Sequence, residues 1–420
     1  MPPVDRLSAL PDNIISHILS FLPINISVST IILARRWRFM WAHFPNLDFD
    51  GRSHDNETGT WDIINRVMSN PRLHSINTFC LKCRRSHLNE NKVEKWFAGR
   101  NINNLSLTLS SEMQSLMHAL PRAIFTCKTL VELRLTCCAL PSLSGDDISL
   151  PRLKKLHLNF VPFEADETLH KLLCYCPVLD DLSIEGCLHG KFYITSPTMK
   201  KLKYSFWTSH SYNHEVRIDA PALEYLQLWV HTTSHVSTCA LTSLIEADIY
   251  IDHSFGNGGK PYRLSLLDCV SRLCKVKRLK LSCGAPLPSR IRSIPKFDNC
   301  TRLELDSDWR FLTKILEMAD NLEVLVISRE RSNRRIWEEP EQVPRCMLSR
   351  LATLRIDGFN CSKSEFSMVK YFLKNSQVLR RMEVHTTTNG IDLGLAEKLN
   401  ALQKIALFKR GSKECELAFS

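Results

Sequence analysis

The stretch PRLKKLHLNF, residues 151–160, carries the pattern that decides the fold of this chain. Its leucines stand at positions 153, 156 and 158, so the pattern is Leu-x-x-Leu-x-Leu. Alternation of apolar and other residues from 155 to 159 predicts a short strand with one buried face. A single strand cannot bury its own leucines, so the pattern specifies a fold only if it recurs along the chain.

The pattern does recur, with other apolar residues at some positions, and its starts are mostly about 20–30 residues apart, the period of leucine-rich repeats. Each repeat is predicted to give one strand to a parallel sheet, while segments such as Ser111 to Phe125 and Thr168 to Leu173 return as helices. The sequence therefore predicts an α/β solenoid with parallel strands on its concave face. The strand motifs include Ile76-Phe79-Leu81, Leu130-Leu133-Leu135, Leu223-Leu226-Leu228, Leu322-Leu325-Ile327 and Leu402-Ile405-Leu407.

Residues 5–50 follow a helical pattern instead. Pro11 suits a first helical position, because its missing N–H would have no partner there, and Pro23 is predicted to end this helix. A second helix is predicted from about Asn25 to Arg35, and a third carries Trp37 and Trp41. Three helices in so short a segment cannot bury this much apolar surface among themselves, so part of it is predicted to contact a partner.

The run from Ile14 to Ala34 contains no charged residue, which raises the alternative of a membrane span. Pro23 and polar residues such as His17 and Asn25 are costly in hydrocarbon, and no basic segment with a cleavage site precedes the run. A packed helical cap is the other alternative. The sequence favours a helical module without membrane contact.

The Leu-Pro-Asp at residues 10–12, the two tryptophans and the closing Leu-Asp-Phe-Asp at residues 47–50 resemble an F-box. This three-helix module joins a protein to a cullin-based ubiquitin ligase through a Skp-family adaptor. The resemblance implies a set of residues that contact the adaptor or support its binding surface: Leu10, Pro11, Ile14, Ile15, Ile18, Leu22, Pro23, Leu33, Trp37 and Trp41.

A second resemblance covers the C-terminal part. The segments 343–348, 351–359 and 369–375 resemble the FBD domain of plant F-box proteins with leucine-rich repeats. Their residues alone predict a strand, a turn at Gly358, a helix from about Ser364 to Asn375 and another strand. The two resemblances imply an order of F-box (1–50), leucine-rich repeats (51–335) and an FBD domain (336–420) that continues the solenoid as a cap.

The composition fits an intracellular protein of several parts, with 420 residues of which 44% are hydrophobic and 24% charged. Its 16 cysteines lack the paired spacing of a zinc site and are predicted to be reduced, mostly buried thiols. Cys346 follows Arg345, which is a setting that can lower a thiol pKa, but its place in the FBD pattern needs no reactivity.

No catalytic motif is found in the sequence. The glycine cluster at residues 256–259 is followed by Lys260 and Pro261, so it lacks the Ser or Thr of a phosphate-binding loop. His210 and His214 with Glu215 are predicted to lie in a solvent-facing turn and not to hold a metal. The sequence therefore predicts a protein that is not an enzyme and has no metal or cofactor.

The concave strand face is the predicted binding surface, because its side chains point away from the core. Its charges alternate in sign from repeat to repeat, so the net charge of +11 does not indicate nucleic-acid binding. Large aromatic side chains are good candidates for anchoring a partner. The predicted target-binding residues are Lys155, His157, Lys201, Lys203, Tyr225, Trp229 and Tyr250.

Two functions fit these sequence features. The first is the substrate-recognition subunit of a Skp–cullin–F-box ubiquitin ligase in the nucleus or cytoplasm, which contacts cullin through the adaptor and recruits an unknown protein substrate. The second is a leucine-rich-repeat binding protein that acts outside the ligase. An enzyme hidden in the solenoid is a third reading, disfavoured by the missing motifs.

Overall fold

The computed structural model describes residues 7, 9–22, 26, 30, 46–51, 57–70, 73–84, 90–97, 99–110, 120–141, 147–163, 167–186, 191–206, 214–231, 234–239, 241–252, 272, 273, 275–283, 296–306, 309–328, 337–386 and 394–419. They form an α/β protein with parallel strands. The chain separates into two compact units, Met1–Met199 and Lys200–Ser420. In each unit, one face of the strands carries the buried apolar side chains.

In the first unit, strands β1 to β6 form a parallel sheet in which each strand pairs with the one before it. These strands are β1 (Asn46–Gly51), β2 (Ser75–Arg84), β3 (Asn101–Ser110), β4 (Glu132–Thr136), β5 (Lys155–Asn159) and β6 (Asp181–Glu185). A further strand is β7 (Lys191–Thr195). The helices are α1 (Asp12–Ser20), α2 (Glu57–Met68), α3 (Glu90–Phe97) and α4 (Thr168–Cys174), with a 3-10 turn at Arg122–Ile124.

The leucine pattern builds this sheet as predicted. Leu133 on β4 is in register with Leu156 on β5, which is in register with Leu182 on β6. All three side chains are fully buried, and the leucines two residues further along β4 and β5 are buried as well. Stacked rows of this kind let neighbouring repeats bury what a single repeat cannot. The predicted parallel repeat strands are confirmed.

The predicted returning helices have different outcomes. The segment from Thr168 to Leu173 is helical, since α4 spans Thr168–Cys174 and buries Leu169, Leu172 and Leu173. In the segment from Ser111 to Phe125, residues 111–119 lie outside the described part of the chain. The remainder contains only the 3-10 turn, which Pro121 precedes.

Strand β1 lies within the segment that was predicted to close the F-box. Its Leu47 and Phe49 are buried, and its register with β2 runs from Asn46 against Thr78 to Gly51 against Cys83. The parallel sheet therefore begins before residue 51. The predicted second helix (25–35) and the third, around Trp37 and Trp41, lie outside the described residues.

Arg100 joins the C-terminal ends of two helices. Its guanidinium donates hydrogen bonds to the carbonyl oxygen of Met68 at the end of α2 and to that of Trp96 in the last turn of α3. Its Nε donates to the carbonyl oxygen of Leu73, 2.9 Å away. The last carbonyls of a helix have no partner within the helix, so one side chain satisfies orphan acceptors from two helices. Burial lowers the pKa of Arg100.

The second unit repeats the parallel arrangement. Its main sheet has the strand order β8 (Lys201–Ser205), β10 (Tyr225–His231), β12 (Glu246–Asp252), β13 (Arg278–Cys283), β14 (Arg302–Asp306), β15 (Val324–Ile327), β16 (Thr353–Asp357), β17 (Arg381–His385) and β18 (Glu416–Phe419). Two other strands, β9 (His214–Asp219) and β11 (Ser234–Thr238), pair in parallel with each other. The helices are α5 (Trp309–Met318), α6 (Arg345–Ser349), α7 (Lys363–Asn375) and α8 (Leu395–Ala406).

The predicted repeat strand at Leu402, Ile405 and Leu407 is wrong. Leu402 and Ile405 belong to α8, which buries Ala401 and Ile405, while Leu407 directly follows the helix and is 86% exposed. The spacing of 401 and 405 places both side chains on one face of a helix, and the surrounding residues are good helix formers. The final strand of the sheet is β18, which pairs with β17 and which the leucine pattern did not predict.

The solvent-facing turn predicted around His214 and Glu215 is also wrong. Both residues belong to β9, where Val216 and Ile218 alternate with more exposed positions and are fully buried. The apolar positions have period 2, which is typical of a strand with one buried face. His210 lies outside the described residues.

The FBD segment folds as its residues predict. Strand β16 is followed by Gly358 with a positive φ of 74°, then by α7 and β17. Ser362 caps α7 by accepting a hydrogen bond from the backbone N–H of Glu365. The Glu365 carboxylate in turn accepts from the Ser362 N–H at 2.8 Å and from the backbone N–H of Asn360. This reciprocal capping fixes the start of the helix.

Replacing Glu365 with alanine is expected to lower the free energy of unfolding by about 2–3 kcal/mol, because a buried carboxylate that satisfies several donors is lost. Urea denaturation followed by circular dichroism measures this change. Glu397→Ala is the matched control, since Glu397 is an exposed acidic residue in the first turn of α8 and should cost under about 1 kcal/mol. Equal losses in the two variants would contradict the role given to the capping box.

Candidate functional site

Helix α1 has two apolar stripes that face different ways. Ile15 and Leu19 are 0% and 1% exposed and pack into the protein. Ile14 and Ile18, one position earlier in each turn, are 42% and 39% exposed. Residues four apart lie on the same side of a helix, so Ile14 and Ile18 form one exposed apolar stripe, and Leu22, 38% exposed, follows it.

The predicted adaptor residues are distributed around this helix. Pro11 was predicted to be the first helical residue, but α1 begins one residue later, at Asp12. The carbonyl oxygen of Pro11 accepts from the N–H of Ile14 and of Ile15. Pro11 is exposed and Leu10 is half-buried. Pro23, Leu33, Trp37 and Trp41 lie outside the described residues.

Three exposed apolar residues near α1 were not predicted from the sequence. Leu7 is 56% exposed, Phe21 is 74% exposed, and Ile26 is 49% exposed. The Phe21 ring contacts His17 edge-on with centroids 4.9 Å apart. Several large apolar side chains exposed in one short segment indicate a surface that binds another molecule. The density of isoleucine and leucine around residue 20 was the signal that could have identified them.

We use "outward face" for the sheet face whose side chains point away from the buried leucines. On the second unit, five of the predicted target-binding residues share this face of the adjacent strands β8, β10 and β12. They are Lys201, Lys203, Tyr225, Trp229 and Tyr250. These residues are neighbours because the stacked repeats pair β10 with β8 on one side and with β12 on the other.

Two pairs within this group are in direct contact. The Trp229 and Tyr250 rings are register neighbours with centroids 4.4 Å apart, inclined at 55°. The Lys201 ammonium lies 5.5 Å from the Tyr225 ring centroid, close enough for a cation–π interaction. Burial raises the pKa of Tyr225, with smaller contributions from Asp248 and Glu246. The phenol therefore stays neutral at physiological pH.

On the outward face of the second unit, basic and acidic side chains form ion pairs in which the two charges neutralise each other. Arg302 Nη2 lies 2.7 Å from Glu304 Oε1, and Arg355 Nε lies 2.7 Å from Asp357 Oδ1. These pairs are partly exposed, so each adds little to stability. Among the described residues of this face, acidic and basic side chains therefore alternate, whereas a surface that follows a phosphate backbone is basic throughout.

A groove of about 460 Å³ crosses the same face. Trp229 and Tyr250 line it together with Asp248, Lys280, Arg355 and Asp357. Burial raises the pKa of Asp248, Lys280 opposes this shift, and Gln227 Nε2 donates a hydrogen bond to Asp248 Oδ2 at 3.2 Å. Two aromatic side chains beside charges of both signs can anchor a protein segment and discriminate between sequences.

The other two predicted target residues lie on the outward face of the first unit. Lys155 at the start of β5 is exposed, and His157 two residues later is half-buried. Burial lowers the pKa of His157, and the nearby Arg134 lowers it further. The imidazole is therefore biased toward its neutral form.

The described residues offer no grouping of three His, Cys, Asp or Glu side chains that could hold a metal ion. The cysteines among them form no disulfide. Cys346, considered above for a lowered pKa, is buried, and burial raises the pKa of its thiol to about 12. Within the described part of the chain, no helix has the length and apolar character needed to cross a membrane.

Parallel strands, one to a repeat, with in-register leucines define this protein as one of the leucine-rich-repeat class. Comparisons with known families agree. The family described as "FBD-associated F-box protein At5g56370, LRR repeats" matches residues 93–248, and the FBD family matches residues 338–384. The latter range includes β16, α7 and most of β17.

Relatives that match most of the chain include proteins of Arabidopsis thaliana. F-box/LRR-repeat protein At4g14103 is 31% identical over 350 residues, which cover 77% of this chain and 91% of the relative. F-box/FBD/LRR-repeat protein At1g13780 is 30% identical over 421 residues, 91% of each chain. FBD-associated F-box protein At4g10400 is 28% identical over 433 residues, 99% of this chain and 100% of the relative. The chain belongs to the F-box/FBD/LRR-repeat family.

Proposed function

We propose that this protein is a substrate-recognition subunit of a Skp–cullin–F-box ubiquitin ligase. Its F-box binds a Skp-family adaptor, which connects it to cullin, and its repeats hold a target protein for ubiquitination. Family membership supports the F-box assignment. The observation that carries the proposal is the exposed stripe of Ile14 and Ile18 on α1.

This stripe suits a permanent protein interface. An amphipathic helix normally turns its apolar residues inward, yet α1 exposes two isoleucines while it buries two other apolar residues. Burying the exposed pair against an adaptor groove removes apolar surface from water, which is the main favourable term in protein association. An apolar helix face laid in a hydrophobic groove is a recurring recognition mode.

The proposed role requires no bond chemistry from this chain. A substrate receptor holds its target near the ubiquitin-charged enzyme and thereby raises the effective concentration of the reacting groups. The protein acts without a cofactor, in the nucleus or cytoplasm, where its thiols stay reduced. Its locally neutralised outward face favours a protein over nucleic acid as the target.

Pull-down of the full chain with a purified Skp-family adaptor distinguishes two functions: a subunit of the ligase and a repeat-based binding protein that acts outside the ligase. The ligase subunit should co-purify with the adaptor in equal amounts. A folded chain that fails to retain the adaptor would favour the second function.

Tyr225→Ala combined with Trp229→Ala is expected to weaken target binding by about 2–4 kcal/mol, because the two rings lie four residues apart on the outward face of β10. The affinity of a target found by proximity labelling measures the effect. Tyr175→Ala with Tyr193→Ala removes two exposed rings elsewhere and should leave the affinity unchanged. If the aromatic double variant and the wild type bound the target with similar affinity, the target site would not include Tyr225 and Trp229 on β10.

A further inference from the structure

A left-handed residue follows three successive strands of the first unit. Cys137 after β4, Phe160 after β5 and Gly186 after β6 have φ values of 55°, 49° and 68°. The N–H of Cys137 donates to the carbonyl oxygen of Asn159 at 2.9 Å, and that of Phe160 donates to the carbonyl oxygen of Glu185 at 2.8 Å. These two bonds extend the pairing of β4 with β5 and of β5 with β6 by one residue.

Phenylalanine is an unfavourable residue for this conformation. Glycine adopts a positive φ without steric cost, and it occupies the equivalent position after β6. A bulky side chain at positive φ is a genuine outlier and carries backbone strain. The repeat accounts for the positive φ at residue 160, because residues 137 and 186 have it at the equivalent strand ends. It does not account for an aromatic side chain at this position.

The Phe160 ring lies directly over Gly186. A Cβ atom at Gly186 would lie 2.5 Å from Cδ1 and Cε1 of the ring, so only glycine leaves room for the ring to cover this position. The Phe160 residue nevertheless remains 46% exposed. Two unusual backbone positions thus combine to hold one aromatic ring against the sheet end with part of its surface open to solvent.

An acidic residue is the backbone hydrogen-bond partner of Phe160, whose N–H donates to the carbonyl oxygen of Glu185. Glu185 is exposed, directly precedes Gly186, and is in register with Asn159, the residue before Phe160. The Ser183 hydroxyl donates a hydrogen bond to Glu185 Oε1 at 3.4 Å. A guanidinium group stacks on aromatic faces and pairs with carboxylates, so it suits both features better than an ammonium or an apolar group.

We infer that Phe160 and Glu185 form a recognition site for an arginine side chain of a partner protein. The guanidinium stacks on the open face of the Phe160 ring and pairs with the Glu185 carboxylate. This assignment names a feature of the target and in that sense rests on the proposed function. The left-handed backbone and the glycine beneath the ring keep the platform in place before the partner arrives.

The test uses pools of fluorescent, randomised dodecapeptides that share one fixed central residue, either Arg, Lys, Phe or Glu. Binding to the purified full chain is measured by fluorescence anisotropy. The Arg-centred pool should bind about fivefold or more tightly than the Glu-centred pool and more tightly than the Lys-centred and Phe-centred pools. No preference in the wild type, or a preference for the Phe-centred pool, would overturn the assignment.

Variants locate the preference on the chain. Phe160→Gly and Glu185→Gln should each reduce the preference for arginine about threefold or more, and Phe160→Tyr should retain it. Cys137→Gly is the matched control, because it changes a left-handed residue at the equivalent strand end and should leave the preference intact. An arginine preference that survives in a folded Phe160→Gly variant would contradict the site. Adaptor binding by the same preparations reports separately on the ligase role and should not change.

Discussion

Replacing Ile14 and Ile18 together with alanine is expected to lower the affinity for a Skp-family adaptor by about 30- to 1000-fold, or about 2–4 kcal/mol. Both side chains are more than one-third exposed, so their truncation removes interface area without opening a cavity in the protein. Alanine is also the better helix former, so α1 itself should persist. Isothermal titration of the purified chain with the adaptor measures the change.

Ile15→Ala is the matched control in the same helix. Ile15 is fully buried, so its truncation should cost about 2–5 kcal/mol of folding stability. The two variants therefore distinguish the two stripes. Ile14→Ala with Ile18→Ala should weaken adaptor binding at an unchanged melting temperature, whereas Ile15→Ala should lower the melting temperature. If Ile14→Ala with Ile18→Ala bound the adaptor like the wild type, α1 would not be the adaptor-binding element.

Arg100→Met is expected to lower the free energy of unfolding by about 3–5 kcal/mol. The substitution keeps an apolar stem of similar length but leaves the carbonyl oxygens of Met68, Leu73 and Trp96 without their charged donor. Hydrogen bonds from a charged group are each worth about 1.5–3 kcal/mol, and the contributions of one side chain are not fully additive. Urea denaturation of the full chain measures the loss.

Arg122→Met provides the comparison for this prediction. Arg122 is 58% exposed and pairs with Asp147 at 3.2 Å, so its loss should cost less than about 1 kcal/mol. If both arginine variants unfolded at the same urea concentration, the joint between α2 and α3 would not depend on Arg100.

The repeat strands could be predicted because their signal is local and recurs. Leu133, Leu156 and Leu182 occupy the same step of the same pattern, and stacking them satisfies each repeat through its neighbours. The same signal failed at residues 402–407, where apolar residues three to five apart suit a helix as well as a repeat strand. Only packing decides between these two readings, and here Ile405 is buried as part of α8.

The candidate sites were predictable in part. The sequence identified α1, but it could not tell which of the neighbouring residues Ile14 and Ile15 faces the core, because both fit one broad apolar face. The contact between Trp229 and Tyr250 depends on strand register, which the repeat period gives only approximately. Phe160 was missed because positive φ cannot be read from a phenylalanine.

We propose that this chain connects a target protein to a cullin through a Skp-family adaptor. The most direct measurement is size-exclusion chromatography of the purified full chain mixed with cullin, with and without the adaptor. The chain and cullin should co-elute only when the adaptor is present. A folded chain that elutes alone in the complete mixture would contradict it.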